Sequence, residues 1–351
     1  MCRLFIFVVL IASLEQINGL VVRSIAPKYL VKPPSAVWSD SRATLDYQNL
    51  LDGKVPEEKS DGPSVVIGDD PLGIALAKLA PSEPDPVVSV NNIASELTSA
   101  LSSRPSECAI YVSIAQPQAL SQIIEACPEE RREDLCFINY GDMVENDLKR
   151  YNCCRDYQTQ AVAYYAINEF NKIEDDRCLI GDDAMGQPKY AAETCVTGKW
   201  AGAYASRLTR NDLFCSTVFY RDFRRQMLER VTYESTYNLV SCLHKRVPIA
   251  EVPDFFRDEC DDMIYEIFRL LRGNLAVALL SGAEERLAAY ARAQRRSKQD
   301  DKLPYLSASS PYRNRFFYDV SMQMKQRGFP DPAPTHTEYF EYGLENDLFD
   351  P

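Results

Sequence analysis

Val65-Val66-Ile67-Gly68-Asp69-Asp70-Pro71-Leu72-Gly73-Ile74-Ala75-Leu76-Ala77-Lys78-Leu79-Ala80 decides how the rest of this sequence reads. The three apolar residues Val65 to Ile67 form a short buried strand, and Gly68 allows a tight turn after it. Asp70 is an N-cap residue and Pro71 fits the first helical position, so a helix begins there. Leu72, Ala75, Leu76 and Leu79 fall at i, i+3, i+4 and i+7, which gives that helix one apolar face. Strand, glycine turn and helix in this order make the first unit of a Rossmann-type sheet. Such turns carry G-x-G-x-x-G; here Gly68 and Gly73 hold the outer positions, and Asp70 stands where the middle glycine belongs. That glycine lets the backbone approach a pyrophosphate at the helix N-terminus. A carboxylate in its place repels phosphate and can satisfy the same N–H groups itself.

Strands and helices alternate onward from this unit. Val87 to Val90 is a second strand ending in Asn91-Asn92. Neither an acid for a ribose nor an arginine for a 2′-phosphate stands there, and Glu96 reads as solvated on the next helix, Ile93 to Leu101. Cys108 to Ile114 is the third strand, a helix opens at Pro117 and runs to Ala126, and Leu135 to Ile138 closes on Asn139-Tyr140-Gly141-Asp142-Met143. Thr159 to Ala166 and Leu179 to Gly181 read as strands, Glu193 to Leu208 as a helix and Leu213 to Phe219 as a last strand. Beyond about residue 220 the pattern turns helical: Phe223, Met227, Val231, Tyr237 and Val240 lie near helical spacing within Arg221 to His244. Further helices span Asp254 to Leu280 and Ala283 to Arg296. The expected fold class is α/β, a Rossmann-type sheet domain over 63–220 followed by an all-helical C-terminal domain over 221–343 and a short tail, 344–351.

A chain of 351 residues with a formal net charge of −12 does not suit nucleic acid or anionic membrane surfaces, which favour basic partners. Eleven cysteines with no C-x-x-C pair, and only two histidines, argue against a zinc site. The cysteines are scattered through apparent strands and helices, as small buried hydrophobes are. Met1-Cys2-Arg3 followed by the apolar run Leu4 to Leu14 has the form of a signal peptide, 1–19, too short to span a bilayer. No membrane span is expected after its removal. Leu20 to Ser39 contains Arg23, Lys28 and Lys32 and no acid before Asp40, the composition of a transit peptide, and a polar linker extends to residue 62. A signal peptide followed by a transit-like segment is similar to the bipartite plastid address of algae with secondary plastids; the alternative is a secreted protein with a basic linker.

The succession of the third strand, the helix in Ser113-Ile114-Ala115-Gln116-Pro117-Gln118-Ala119-Leu120 and the turn after Leu135-Cys136-Phe137-Ile138 resembles the ketopantoate reductase family. The likeness covers about residues 64–343. It implies a Rossmann domain joined to a helical domain like the C-terminal part of 6-phosphogluconate dehydrogenase, NADP or NAD as cofactor, and a small keto acid as substrate. The family carries Q-N-G where this chain has Asn139-Tyr140-Gly141, so Tyr140 takes the place of an asparagine that contacts substrate and cofactor. Gly68, Asp70, Gly73, Tyr140 and Gly141 are thus the implied cofactor positions. The family's catalytic helix resembles K-L-x-x-N-x-x-x-N-x-x-T. On this chain Arg230 takes the position of the lysine that acts as general acid, Glu234 that of the first asparagine, Asn238 that of the second and Ser241 that of the threonine. Arginine is a poor general acid near neutral pH; the competing reading is an Arg230–Glu234 pair on a solvated helix face, worth a few tenths of a kcal/mol. The family's N-R-S-S-M meets Phe316 and Phe317 in place of its serines. Thr337-Glu338-Tyr339 is similar to its T-E-I, which assigns Glu338 to the substrate, while His336 reads as structural.

Two classes of function stay open at this point. One is a nicotinamide-dependent reductase of a small keto acid, with Arg230, Asn238 and Glu338 as catalytic candidates lining a cleft between domains. The other keeps the fold without the catalysis, as a binding or scaffold subunit with protein partners in a plastid complex.

Overall fold

The computed structural model describes residues 59–113, 119–139, 148, 150–151, 157–168, 172–182, 184–293, 314–346 and 348. The segments read as signal peptide and transit peptide, and Tyr140 and Gly141 of the cofactor assignment, lie outside the described residues.

Seven strands form the main sheet: β1 (Val65–Ile67), β2 (Val87–Val88), β3 (Ile110–Val112), β4 (Leu135–Ile138), β5 (Thr159–Val162), β10 (Cys195–Thr197) and β11 (Ser216–Thr217). Their order is β11-β10-β5-β4-β3-β1-β2. All neighbours pair in parallel except β10 with β5, which is antiparallel. The chain between β5 and β10 makes two small hairpins, β6 (Tyr165–Ile167) with β7 (Ile173–Asp175) and β8 (Leu179–Asp182) with β9 (Pro188–Tyr190). The central strands are buried on both faces, as parallel strands covered by helices must be. Val65 and Ile67 join one core with Leu97, Ile110, Val112 and Ile123. Val66 and Tyr111 point the other way, into a core with Leu76, Trp200 and Tyr204. Helices α1 (Pro71–Lys78), α2 (Ile93–Ser102), α3 (Leu120–Ala126) and α4 (Ala201–Thr209) supply these covers.

The helical part comprises α5 (Tyr220–Leu243), α6 (Val252–Phe255), α7 (Arg257–Asn274), α8 (Ala283–Ala293), α9 (Asn314–Gln326) and α10 (Pro334–Glu345). Its long first helix packs against β5 and β10 on one side and α7 and α10 on the other. Twelve consecutive residues of α5, from Val231 to Cys242, are buried, so its second half is enclosed on all sides rather than on one face. Among the described residues no helix is long and apolar enough to cross a membrane. The eight described cysteines are free thiols, six of them buried.

Two expected elements differ. The helix expected from Glu193 begins only at Ala201, because Cys195-Val196-Thr197 pairs with β5 before the chain turns at Gly198. A strand partner here outweighs the helical pattern of the residues that follow. The helix expected over Asp254 to Leu280 breaks at Phe256 and stops at Asn274, where Ala276 enters the left-handed region with φ 54°.

Below the sheet, at the N-terminal ends of its strands, four carboxylates are tied into two ion-pair networks. Arg207 of α4 is fully buried and bonds Asp85 at 2.7 Å and Asp61 at 2.9 Å, with Arg104 3.7 Å from Asp85 and Arg210 also on Asp61. Asp134 meets Arg131 and Lys199, both at 2.7 Å, and Lys199 also meets Glu107 at 3.2 Å, as does Lys59 at 3.1 Å. These pairs fasten α4 and the residues before β1 to the base of the sheet.

Candidate functional site

The order β2-β1-β3-β4-β5 reverses between β1 and β3, and in such sheets ligands bind outside the carboxyl ends of the strands at that point. Gly68 ends β1 here with φ 119°, and a Cβ on it would lie 2.2 Å from the Ser113 carbonyl oxygen at the end of β3. A Cβ on Gly73 would lie 2.2 Å from the Gly68 carbonyl oxygen, so both glycines are required to fold α1 tightly onto the turn. This is the cradle expected from the sequence.

Asp70 fills it. As N-cap of α1 its Oδ1 accepts from the N–H of Leu72 at 2.9 Å and of Gly73 at 3.2 Å, with Pro71 at the first helical position. Its Oδ2 is buried without a hydrogen-bond partner and would stand 2.9 Å from a Cβ on Gly68. Burial pushes the carboxyl's pKa up, against the two backbone bonds that stabilise its ionised form. The donors that would hold a pyrophosphate are therefore taken by a carboxylate of the chain itself. The turn has the shape for a dinucleotide, but its charge does not fit one.

The neighbouring strand ends are occupied in the same way. Glu96, expected to be solvated, reaches back from α2 and accepts from the Ser89 N–H at 3.2 Å and the Asn92 side chain at 3.1 Å. One turn of helix brings it to the end of β2, where unpaired backbone outcompetes water. At the end of β4, Asn139 adopts a left-handed φ of 61°. Its side chain bonds the Ala163 N–H at 2.8 Å and the Ala163 carbonyl at 3.2 Å, beyond the end of β5. The sequence reading passed over Asn139, although a turn asparagine at the end of a strand is a residue type suited to left-handed backbone.

Arg230 of α5 joins this edge of the crevice. It donates to the Ala163 carbonyl at 2.8 Å and to Glu234 at 3.1 Å, and its guanidinium lies 4.7 Å from the centre of the Tyr164 ring. Tyr164, Tyr233 and Tyr290 stack edge-on around it. Glu234 is 7 % exposed. The pair is thus not a solvated helix-face pair: α5 turns this face onto the end of β5, and both groups are held in the packing. Burial, the largest single effect, works against the charge on Arg230, but Glu234, Tyr290 and Tyr164 together outweigh it and hold the guanidinium above its usual pKa. It releases no proton at physiological pH.

Asn238 is buried two turns along the same helix, and Ser241 donates to the Val247 carbonyl at 2.6 Å, a structural bond. Glu338 stands on the exposed face of α10. In the preceding turn the acid bound to the helix is Glu266 of α7, which accepts from the N–H of Thr335 at 2.9 Å and of His336 at 3.3 Å. His336 is fully buried, bonds Asn314 at 2.9 Å and is held to a pKa of about 4 by burial. Phe317, in the place of a substrate-binding serine, is fully buried and packs edge-on against His336. The structure thus groups Gly68, Asp70 and Gly73 in one turn and Arg230 with Asn238 on one helix.

No family model matches the chain, and no curated protein sequence does. Solved structures do. The chain is similar to 2-dehydropantoate 2-reductase from Methylococcus capsulatus, with 11 % identity and a TM-score of 0.52 over 82 % of this chain and 98 % of that one. It is similar to the same degree to a PanE/ApbA family ketopantoate reductase from Ralstonia eutropha JMP134, with 11 % identity and a TM-score of 0.52 over 81 % and 99 %. The fold is that of the ketopantoate reductases. Sheet and helical part both fall within the match, and the low identity makes this chain a diverged bearer of the ketopantoate reductase fold.

Proposed function

We propose that this chain is a ketopantoate reductase-like protein whose nicotinamide crevice is closed by its own Asp70 carboxylate, and that it serves as a binding or scaffold subunit rather than as a reductase. The observation that carries this reading is the pair of bonds from Leu72 and Gly73 to Asp70, which occupy the helix N-terminus where a pyrophosphate would sit. Arg230 adds to it, as a cation engaged by Glu234 and a carbonyl and unable to act as a general acid. The N-terminal segment supports a plastid as the place of action; fused to a fluorescent reporter, residues 1–60 should carry it to the plastid, and a secreted reporter would overturn that address.

The test is a titration of the protein with NADPH and NADH followed by fluorescence, together with an assay of ketopantoate-dependent NADPH oxidation. Weak dinucleotide binding and no turnover are expected, in the wild type and in Arg230→Lys, which restores a side chain able to deliver a proton. Turnover by the wild type would establish the second reading, an NAD(P)-dependent reductase of a small keto acid. That reading is favoured by the retained cradle of Gly68 and Gly73. In it, Arg230 binds the substrate carboxylate, with Asn238 and Glu338 as further substrate contacts.

A further inference from the structure

A cavity of about 260 Å³ lies at the opposite end of the sheet from the crevice. It opens where the chain enters β1 and β3, beneath α4. Lys59, Asp61, Pro63, Pro105, Glu107, Tyr111 and Trp200 stand in its wall. Its volume is just below the roughly 300–1,000 Å³ of drug-sized ligand sites, so it suits a small molecule.

Three observations define what fits. First, the two carboxylates in its wall are each held by two cations, Asp61 by Arg207 and Arg210 and Glu107 by Lys59 and Lys199. Second, the ammonium groups of Lys59 and Lys199 converge on a single carboxylate, Glu107, whose side chain is 45 % exposed. Lys199 is 8 % exposed and shares itself with Asp134, which Arg131 and Trp200 also bond. Glu107 is therefore the carboxylate of these networks that another carboxylate can most readily displace. Third, Tyr111 is fully buried and its hydroxyl has no hydrogen-bond partner. A buried hydroxyl in this state costs free energy that an incoming acceptor would recover. The Trp200 ring and the two prolines add an apolar face to the wall.

We propose that this cavity binds a small organic carboxylate bearing a second oxygen. The carboxylate takes the place of Glu107 between Lys59 and Lys199, the body of the ligand lies against Trp200, Pro63 and Pro105, and the second oxygen accepts from Tyr111. The site is separate from the dinucleotide crevice and does not depend on whether that crevice works.

Isothermal titration of the full chain with 4-hydroxybenzoate tests this, with benzoate and 4-hydroxybenzamide as controls. Binding of 4-hydroxybenzoate near 1 mM is expected, with the neutral amide silent at that concentration. Glu107→Gln removes the competing charge and should tighten the acid about tenfold. Benzoate should bind about fivefold more weakly than 4-hydroxybenzoate, a difference that Tyr111→Phe abolishes. Equal binding of acid and amide, or an affinity for the acid unmoved by Glu107→Gln, would overturn the carboxylate site. A preference for 4-hydroxybenzoate that survives in Tyr111→Phe would overturn the role given to the second oxygen.

Discussion

Replacing Asp70 separates the two ways in which it obstructs a dinucleotide. A pyrophosphate arriving at α1 must displace the carboxylate from the Leu72 and Gly73 N–H groups, and it must tolerate the negative charge nearby. Losing an N-cap costs about 1 kcal/mol. Two unit charges of one sign about 4 Å apart cost about 1 kcal/mol in water and about 4 kcal/mol at an effective dielectric constant of 20. The wild type therefore forfeits about 2 kcal/mol or more, which corresponds to about 30-fold in the dissociation constant. Asp70→Gly removes both obstacles and should tighten NADPH binding by about that factor, with a stability cost of a few tenths of a kcal/mol, since glycine is an acceptable cap. Asp70→Asn removes the charge and keeps a capping oxygen, so its gain should be about tenfold or less. Fluorescence titration of the three proteins with NADPH reads the order directly. A pH series adds a signature. Because burial raises the Asp70 pKa, the carboxyl takes up its proton at a higher pH than an ordinary aspartate, so NADP affinity should rise on acidification in the wild type and less so in either variant. Equal or weaker binding in Asp70→Gly would refute the argument, because the turn would then not be a phosphate site in this protein.

Other outcomes follow from the packing. Gly73→Ala would drive a Cβ to 2.2 Å from the Gly68 carbonyl oxygen, and thermal unfolding should show a loss of about 1–3 kcal/mol. His336 is buried with its pKa lowered to about 4, so the unfolded chain binds the proton more readily than the folded one. Its contribution is present above the ordinary histidine pKa and is lost as pH falls from about 6.5 to 4, amounting to about 3 kcal/mol. Chemical denaturation over this range should show a shallower decline in His336→Gln than in the wild type. Arg230→Ala leaves Glu234 and the Ala163 carbonyl without their cation, and it should destabilise by about 2–3 kcal/mol in denaturant melts.

How much of this was legible in the sequence depended on how local each signal was. The turn at Gly68–Asp70–Pro71 is specified by neighbouring residues, and the cap, the proline and the helix stand where the spacing puts them. The long helix from Tyr220 was equally plain. The enclosure of its second half on all sides was not, because residues such as Thr232, Ser235 and Thr236 are buried there only through tertiary contacts. Glu96 read as solvated since its partner, the Ser89 N–H, is a backbone group that no residue pattern reveals. The same holds for Arg230: the i, i+4 spacing to Glu234 was visible, whereas the Ala163 carbonyl that fixes its other end lies 67 residues away. The strand Cys195–Thr197 is not legible because its partner, β5, also lies outside its local sequence, beyond two intervening hairpins.

The proposal of a closed crevice rests on where its polar groups point. A site that binds a charged ligand keeps donors free of internal partners, since each must exchange water for ligand without first breaking a protein bond. Here the N–H groups of Leu72 and Gly73 meet Asp70, and the N–H of Ser89 meets Glu96. Asn139 and Arg230 both bond the Ala163 carbonyl, and Arg230 spends its remaining charge on Glu234. Each replacement by itself is a minor stabilising contact. Together they lie at the ends of β1, β2, β4 and β5, the places where ligands approach a sheet of this order. Satisfying all of them internally makes the folded chain more self-sufficient and the crevice less receptive. On that ground Asp70→Gly alone should restore dinucleotide affinity without restoring turnover. Catalysis would need, besides it, a proton donor at position 230 released from Glu234, so the double variant Arg230→Lys with Glu234→Asn on the Asp70→Gly background is the one in which NADPH oxidation should first appear. If that protein binds NADPH tightly and still leaves ketopantoate untouched, the block to turnover lies outside this crevice edge.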